Sequence, residues 1–253
     1  MQIGVILRNY GLSFISDEDL YNHTKETVEK YRFQVDLAKF NKNLIDPIKL
    51  TFDSKVYDRD IKSVIESEII RQMDKSNTNH IGYFHQNIFN HIGNGWSVPT
   101  RGYDIVNVDE HYYVEMKNKH NTMNSSSSQK TYMRMQHTLL NDPDATCMLV
   151  EVIARNSQNI VWNISLDGSP VSNERIRRVS MDRFYELVTG KRTAFKELCE
   201  QLPTVIADIV HDIALDAESN TVCAELEQIS PNLLKSLYLL SFEKYEGFGD
   251  FNV

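Results

Sequence analysis

Residues 104–117 read D-I-V-N-V-D-E-H-Y-Y-V-E-M-K, with apolar and polar side chains alternating on either side of the acidic pair Asp109-Glu110. Alternation with a period of two around a short polar break specifies a β-hairpin with one wet face. With the turn centred between Asp109 and Glu110, Asp104 lies opposite Glu115. Directly opposed residues of an antiparallel pair hold their Cβ atoms about 5 Å apart, where two carboxylates repel unless a cation sits between them. Lys117 shares the face of Glu115, while Val114 and Met116 point the other way into a core. Hard carboxylates at an open position favour Mg²⁺ over zinc, since the hairpin offers neither thiol nor paired imidazoles. A divalent ion beside a lysine suits phosphodiester hydrolysis, because it polarises a phosphoryl oxygen and acidifies a water. The plain alternative is a surface hairpin whose Asp, Glu and Lys are only solvated.

Upstream, Ser16 followed by Asp17, Glu18 and Asp19 starts a helix over residues 17–34. Asp46-Pro47 breaks the pattern, and residues 48–57 read as extended or irregular. A second helix spans residues 58–74, with Ile61, Val64, Ile65, Glu68 and Gln72 on one stripe. A carboxylate in an apolar stripe needs a partner, so Glu68 is a candidate third acid for the site, or else the mate of an arginine. Asn77-Thr78-Asn79 caps a third helix ending near Gly93, in which His85 reads as a satisfied core histidine. A glycine-rich loop then carries Arg101 up to Asp104.

After Lys117 comes a polar stretch and then a helix over residues 127–140, buried through Tyr132, Met135 and Leu139. Asn, Gln, Lys and Arg side chains next to a cutting site are the kinds that contact phosphates and base edges. Arg101, Asn118, Lys119, Asn121, Gln129, Lys130 and Arg134 are therefore the DNA-binding candidates. The run CMLVEVIA, residues 147–154, is a strand covered on both sides. Residues 160–166 and 176–180 make a further strand pair joined through Asp167-Gly168-Ser169-Pro170, and Arg175, Arg177 and Arg178 form a small basic cluster. Residues 193–217 carry a helical pattern with Pro203 as a kink or break, and residues 231–242 an amphipathic segment more suited to its own chain than to a partner.

The 253 residues are 41% hydrophobic and 25% charged, ordinary for a soluble domain. No run of 18 apolar residues occurs and no signal-peptide pattern opens the chain, so a cytoplasmic protein with no membrane contact is expected. Cys147, Cys199 and Cys223 form no CxxC pair and read as reduced core thiols. The net charge of -8 argues against a nucleic-acid partner until its distribution is read: residues 197–253 hold 11 Asp and Glu against 2 Lys, leaving residues 1–196 at +1. A basic groove with an acidic back is thus allowed.

Asp104 and Glu115-Met116-Lys117 resemble the signature of the PD-(D/E)XK nuclease superfamily, except that Tyr103 stands where a proline is usual. More specifically, VEMKNKHNTMNSSSSQKTYMRMQ (residues 114–136), KSNTNHIGYFHQNIF (75–89) and NLIDPIKLTFDSKVY (43–57) resemble the type II restriction endonuclease family that cuts at GGNCC. The resemblance implies a restriction-endonuclease-like α/β core, a mixed central sheet flanked by helices, within a single nuclease domain. Helical parts at residues 1–93 and 181–253 would bracket a catalytic core at 94–180. It further implies Mg²⁺ held by Asp104, Glu115 and the Met116 carbonyl, Lys117 acting on the attacking water, double-stranded DNA with a short palindrome as substrate, and a homodimer. Rival readings are another DNase of the superfamily, a DNA-binding protein on a retired nuclease fold, and an interaction protein.

Overall fold

The computed structural model describes residues 8–31, 34–120, 122–213 and 220–242. Helix α1 (Asp17–Glu29) begins as expected. The Asp19 N–H donates to Ser16 Oγ at 3.0 Å and the Ser16 hydroxyl returns a bond to Asp19 Oδ2 at 2.6 Å. It ends at Glu29, short of the expected 34. Helix α2 (Leu37–Asn41) is capped by Asp36.

Residues 48–57 are not extended. They lie in helix α3 (Pro47–Val56), whose Asp46 carboxylate accepts from the N–H groups of Ile48 and Lys49. Asp-Pro here is a cap followed by the first helical position, where proline forfeits no internal hydrogen bond. The two helices expected over 58–74 and 77–93 are one, α4 (Ile61–Asn87), followed by the short α5 (Phe89–Ile92). Asn77, Thr78 and Asn79 each lower helix propensity by under about 1 kcal/mol, too little to stop a helix held by packing.

Strands β1 (Trp96–Ser97), β2 (Ile105–Asn107) and β3 (Tyr112–Lys119) pair antiparallel. The hairpin register is the one expected, with Ile105 opposite Val114 and Asn107 opposite Tyr112. His111, at φ 55, closes the turn. Helix α6 (Ser125–Asn141), capped by Asn124, crosses over to β4 (Thr146–Ile153), which lies parallel to β3. The expected strand pair after it is divided. Strand β5 (Asn159–Val161) is the antiparallel edge, while β6 (Ile164–Leu166) and β7 (Ser169–Val171) make a separate hairpin around Asp167-Gly168. Both turn residues have positive φ, which suits a two-residue hairpin connection rather than a long link. Strand β8 (Ile176–Ser180) joins β4 in parallel, giving the mixed order β1-β2-β3-β4-β8-β5.

Helices α7 (Met181–Thr189), α8 (Ala194–Ile213), α9 (Val222–Ile229) and α10 (Leu233–Phe242) complete the described chain. Pro203 lies inside α8 without ending it, and the expected helical residues 214–217 fall outside the described residues. Leu233 and Leu237 of α10 are buried in their own chain. Cys199 is exposed, so only Cys147 fits the expected buried thiol. No described helix is long and apolar enough to cross a membrane.

The chain divides into two compact units, Met1–Glu29 with Ile81–Ala214, and Lys30–His80 with Leu215–Val253. In the first, a large core on one sheet face gathers Ile105, Val114, Met116, Met148 and Val150 with Phe184, Leu198 and Val205. The opposite face is covered by α6 through Tyr132, Met135 and Leu139, which pack with Cys147, Leu149 and Ile176. The second unit is helical, built on Phe40, Leu50, Ile65, Val222 and Leu237.

Candidate active site

The two-residue period of β3 commits Val114 and Met116 to the large core and leaves Glu115 and Lys117 half-buried on the α6 face. Asp104 stands just before β2. Its N–H donates to the Val114 carbonyl at 2.9 Å and its Oδ2 accepts from the Met116 N–H at 2.7 Å, so one residue is pinned on both sides of Glu115. Burial pushes the Asp104 carboxyl above its ordinary range. The Met116 N–H opposes that, and the nearby Glu115 carboxylate adds to it. Two anions have been brought together in a partly desolvated place.

Glu115 holds two cations. Lys117 Nζ donates to Oε1 at 2.6 Å, and Arg134, reaching from α6, donates to Oε2. The Arg134 guanidinium also stacks on the Tyr103 ring, 4.5 Å from its centroid, and donates to the Gly102 carbonyl at 3.3 Å. Arg134, expected among DNA contacts, is thus drawn into the acidic pair.

Glu68 belongs to the other unit. Burial pushes its carboxyl up, but hydrogen bonds from Arg71, both at 2.6 Å, and from Gln72 at 3.1 Å outweigh this and hold it below the usual range. Its partner is the arginine of the alternative reading. Among the DNA candidates, Arg101, Lys119 and Lys130 are exposed. Asn118 sits against α4, where its amide lies 3.4 Å from the position a Cβ on Gly82 would take. Gln129 donates to the Ser165 carbonyl at 2.9 Å, tying α6 to the β6–β7 hairpin. Asn121 lies outside the described residues. His85 is half-buried, and desolvation lowers its imidazole to about 4.

Glu151 was not foreseen. It lies on β4 in register with Lys117, 1% exposed, and accepts from Arg178 and, at 3.1 Å, pairs with His120 Nδ1. Burial pushes its carboxyl up, and Arg178 and His120 more than reverse the effect, holding it below the usual range. A signal existed: it is the one acid in the run CMLVEVIA, and a lone charge in a strand covered on both faces must be paired.

Among the described residues no three His, Cys, Asp or Glu side chains gather as a ready metal cage. The donor set nevertheless suits a hard divalent ion that takes two carboxylates and completes its shell with carbonyl, water or phosphate oxygens. A cation here would also relieve the repulsion between Asp104 and Glu115.

Residues 12–211 match the family model described as Eco47II restriction endonuclease. The chain is 30% identical over 259 residues to the type II restriction enzyme Sau96I of Staphylococcus aureus, covering 92% of this chain and 99% of that protein. It is 32% identical over 216 residues to the type II restriction enzyme Eco47II of Escherichia coli, covering 79% and 89% respectively.

Proposed function

The chain belongs to the Eco47II restriction endonuclease family of site-specific deoxyribonucleases, and from that premise we propose that Asp104, Glu115 and Lys117 are its PD-(D/E)XK cutting centre. The observation that carries this reading is the double backbone pinning of Asp104 to Val114 and Met116, which sets its carboxylate beside Glu115. Asp104, Glu115 and the Met116 carbonyl would hold Mg²⁺. When bound, that ion supplies Lewis acidity at the phosphoryl oxygen and acidifies a water. The Met116 N–H keeps Asp104 aimed. Lys117 orients the attacking water and offsets charge growing on the phosphate.

The substrate is duplex DNA with a GGNCC-type palindrome, cut by a homodimer whose two-fold axis matches that of the site. The enzyme acts in the cytoplasm, where Arg101, Lys119 and Lys130 meet phosphates, and Asn118, Asn121 and Gln129 remain the candidates for reading bases. Digesting a sequenced plasmid with and without Mg²⁺ and mapping the fragment ends tests this. Ends confined to one palindrome, dependent on Mg²⁺ and lost in Asp104→Ala and Glu115→Ala, are expected. Cutting by either variant overturns the assignment.

A further inference from the structure

Lys117 gives its ammonium to Glu115 at 2.6 Å, and Arg134 occupies the other oxygen of the same carboxylate. A divalent ion that draws on Glu115 must therefore loosen one of these partners. The Lys117 side chain is 30% exposed and that of Glu115 13%, so an ammonium left without an anion there is poorly compensated by water.

One other carboxylate is built into the same face. Glu151 is the register partner of Lys117 across the parallel β3–β4 pair, and neighbouring strands lie about 4.8 Å apart with side chains of equal register on one face. Both residues line a cavity of about 50 Å³ with Leu149, Ser128 and Arg178. Arg178 holds Glu151 in place, and His120 Nδ1 lies 3.1 Å from Glu151 and 2.7 Å from Arg178, a donor to the first or an acceptor from the second according to its tautomer. Two donors do not exhaust a carboxylate, whose two oxygens offer about four lone-pair sites. Acid and base thus alternate from Glu115 through Lys117 to Glu151 and Arg178 across β3, β4 and β8.

We propose that Glu151 is a positioning residue for the cutting centre: it receives the Lys117 ammonium when Glu115 turns to a divalent cation, keeping the lysine charged and at the site. This rests on the assignment of Asp104 and Glu115 as the cation ligands. The handover lets one lysine serve as guard of Glu115 in the metal-free protein and as a fixed cation in the loaded one.

The test is the affinity of the full chain for Mg²⁺ without DNA, measured by calorimetry in a double-mutant cycle. Glu151→Gln is expected to weaken Mg²⁺ binding about tenfold, the scale of coupling between neighbouring charges. In a Lys117→Met background the same substitution is expected to change affinity less than about twofold, since no ammonium needs rehousing. Unchanged affinity in Glu151→Gln, or equal weakening in both backgrounds, overturns the proposal and leaves Glu151 a structural acid. Should Glu151→Gln fail to fold, Glu151→Met with Arg178→Met removes both charges together and is expected to show the same background dependence. Wild-type protein that binds Mg²⁺ no better than Asp104→Ala overturns the cutting-centre assignment and this inference with it. Tight wild-type binding without the background dependence overturns this inference alone.

Discussion

Glu115 meets Lys117 on one oxygen and Arg134 on the other, so its neighbours fail in different ways when replaced. Under the proposed assignment, Lys117→Met removes the cation that offsets the developing charge on the phosphate. Turnover is expected to fall about 10²–10³-fold with duplex affinity nearly unchanged. Single-turnover cleavage beside a gel shift in Ca²⁺ measures both, and equal losses in the two would make Lys117 a binding residue. The register of the hairpin that carries Asp104, Glu115 and Lys117 was legible because a strand's period of two, plus one turn centre, places every side chain of a hairpin. For Glu68 two readings stood side by side because helical periodicity reports which face a residue occupies and not its partner. Arg71, three positions along, supplies that partner. Glu151 stood out as a charge in an apolar strand, but its nearness to Lys117 depends on the β3–β4 register, which no local pattern carries.

At the scale of elements, the hairpin tip is tied to the end of α6. His111 Nδ1 lies 2.8 Å from Asp142 Oδ2, and the Tyr113 hydroxyl donates to the same oxygen at 3.0 Å. Asp142 raises the imidazole above its ordinary value, and His111 in turn holds the Asp142 carboxyl low. The histidine's share of stability is complete below about pH 6.5 and is lost as pH rises through the raised value. The carboxylate's share is present above about pH 3.9 and is lost as pH falls through the lowered one. His111→Gln is thus expected to lower the urea midpoint at pH 6 and to match wild type by pH 9. A deficit independent of pH would show that packing, not charge, makes the tie. Asp46→Ala, removing the cap of α3, is expected to destabilise the helical unit by about 1 kcal/mol in the same measurement. The start of α3 was misread because Asp-Pro is both a breaker of the preceding pattern and an opener of the next. The unbroken α4 escaped notice because capping residues stop a helix only where packing allows it.

Over the whole molecule, a chain of net charge -8 cuts a polyanion, and its excess of acid is concentrated in one part of the sequence. Residues 197–253 hold 11 acids against 2 lysines, and some are already answered: Asp208 accepts from the Tyr10 hydroxyl at 3.0 Å, and Asp212 from Arg8 and Tyr21. Lys119 and Lys130 belong to the near-neutral remainder and are exposed, which is how a cation that meets phosphate rather than a protein acid should lie. Each phosphate contact releases condensed counterions, so log affinity falls with log salt by about 0.9 per contact. Lys119→Ala and Lys130→Ala are each expected to reduce that slope by about one and to weaken cognate and unrelated duplexes alike. Fluorescence anisotropy over a salt series in Ca²⁺ reads the slope directly. A substitution that instead weakens only the cognate duplex at unchanged slope would make that lysine a base reader, and would place recognition on the element that carries it, β3 for Lys119 or α6 for Lys130.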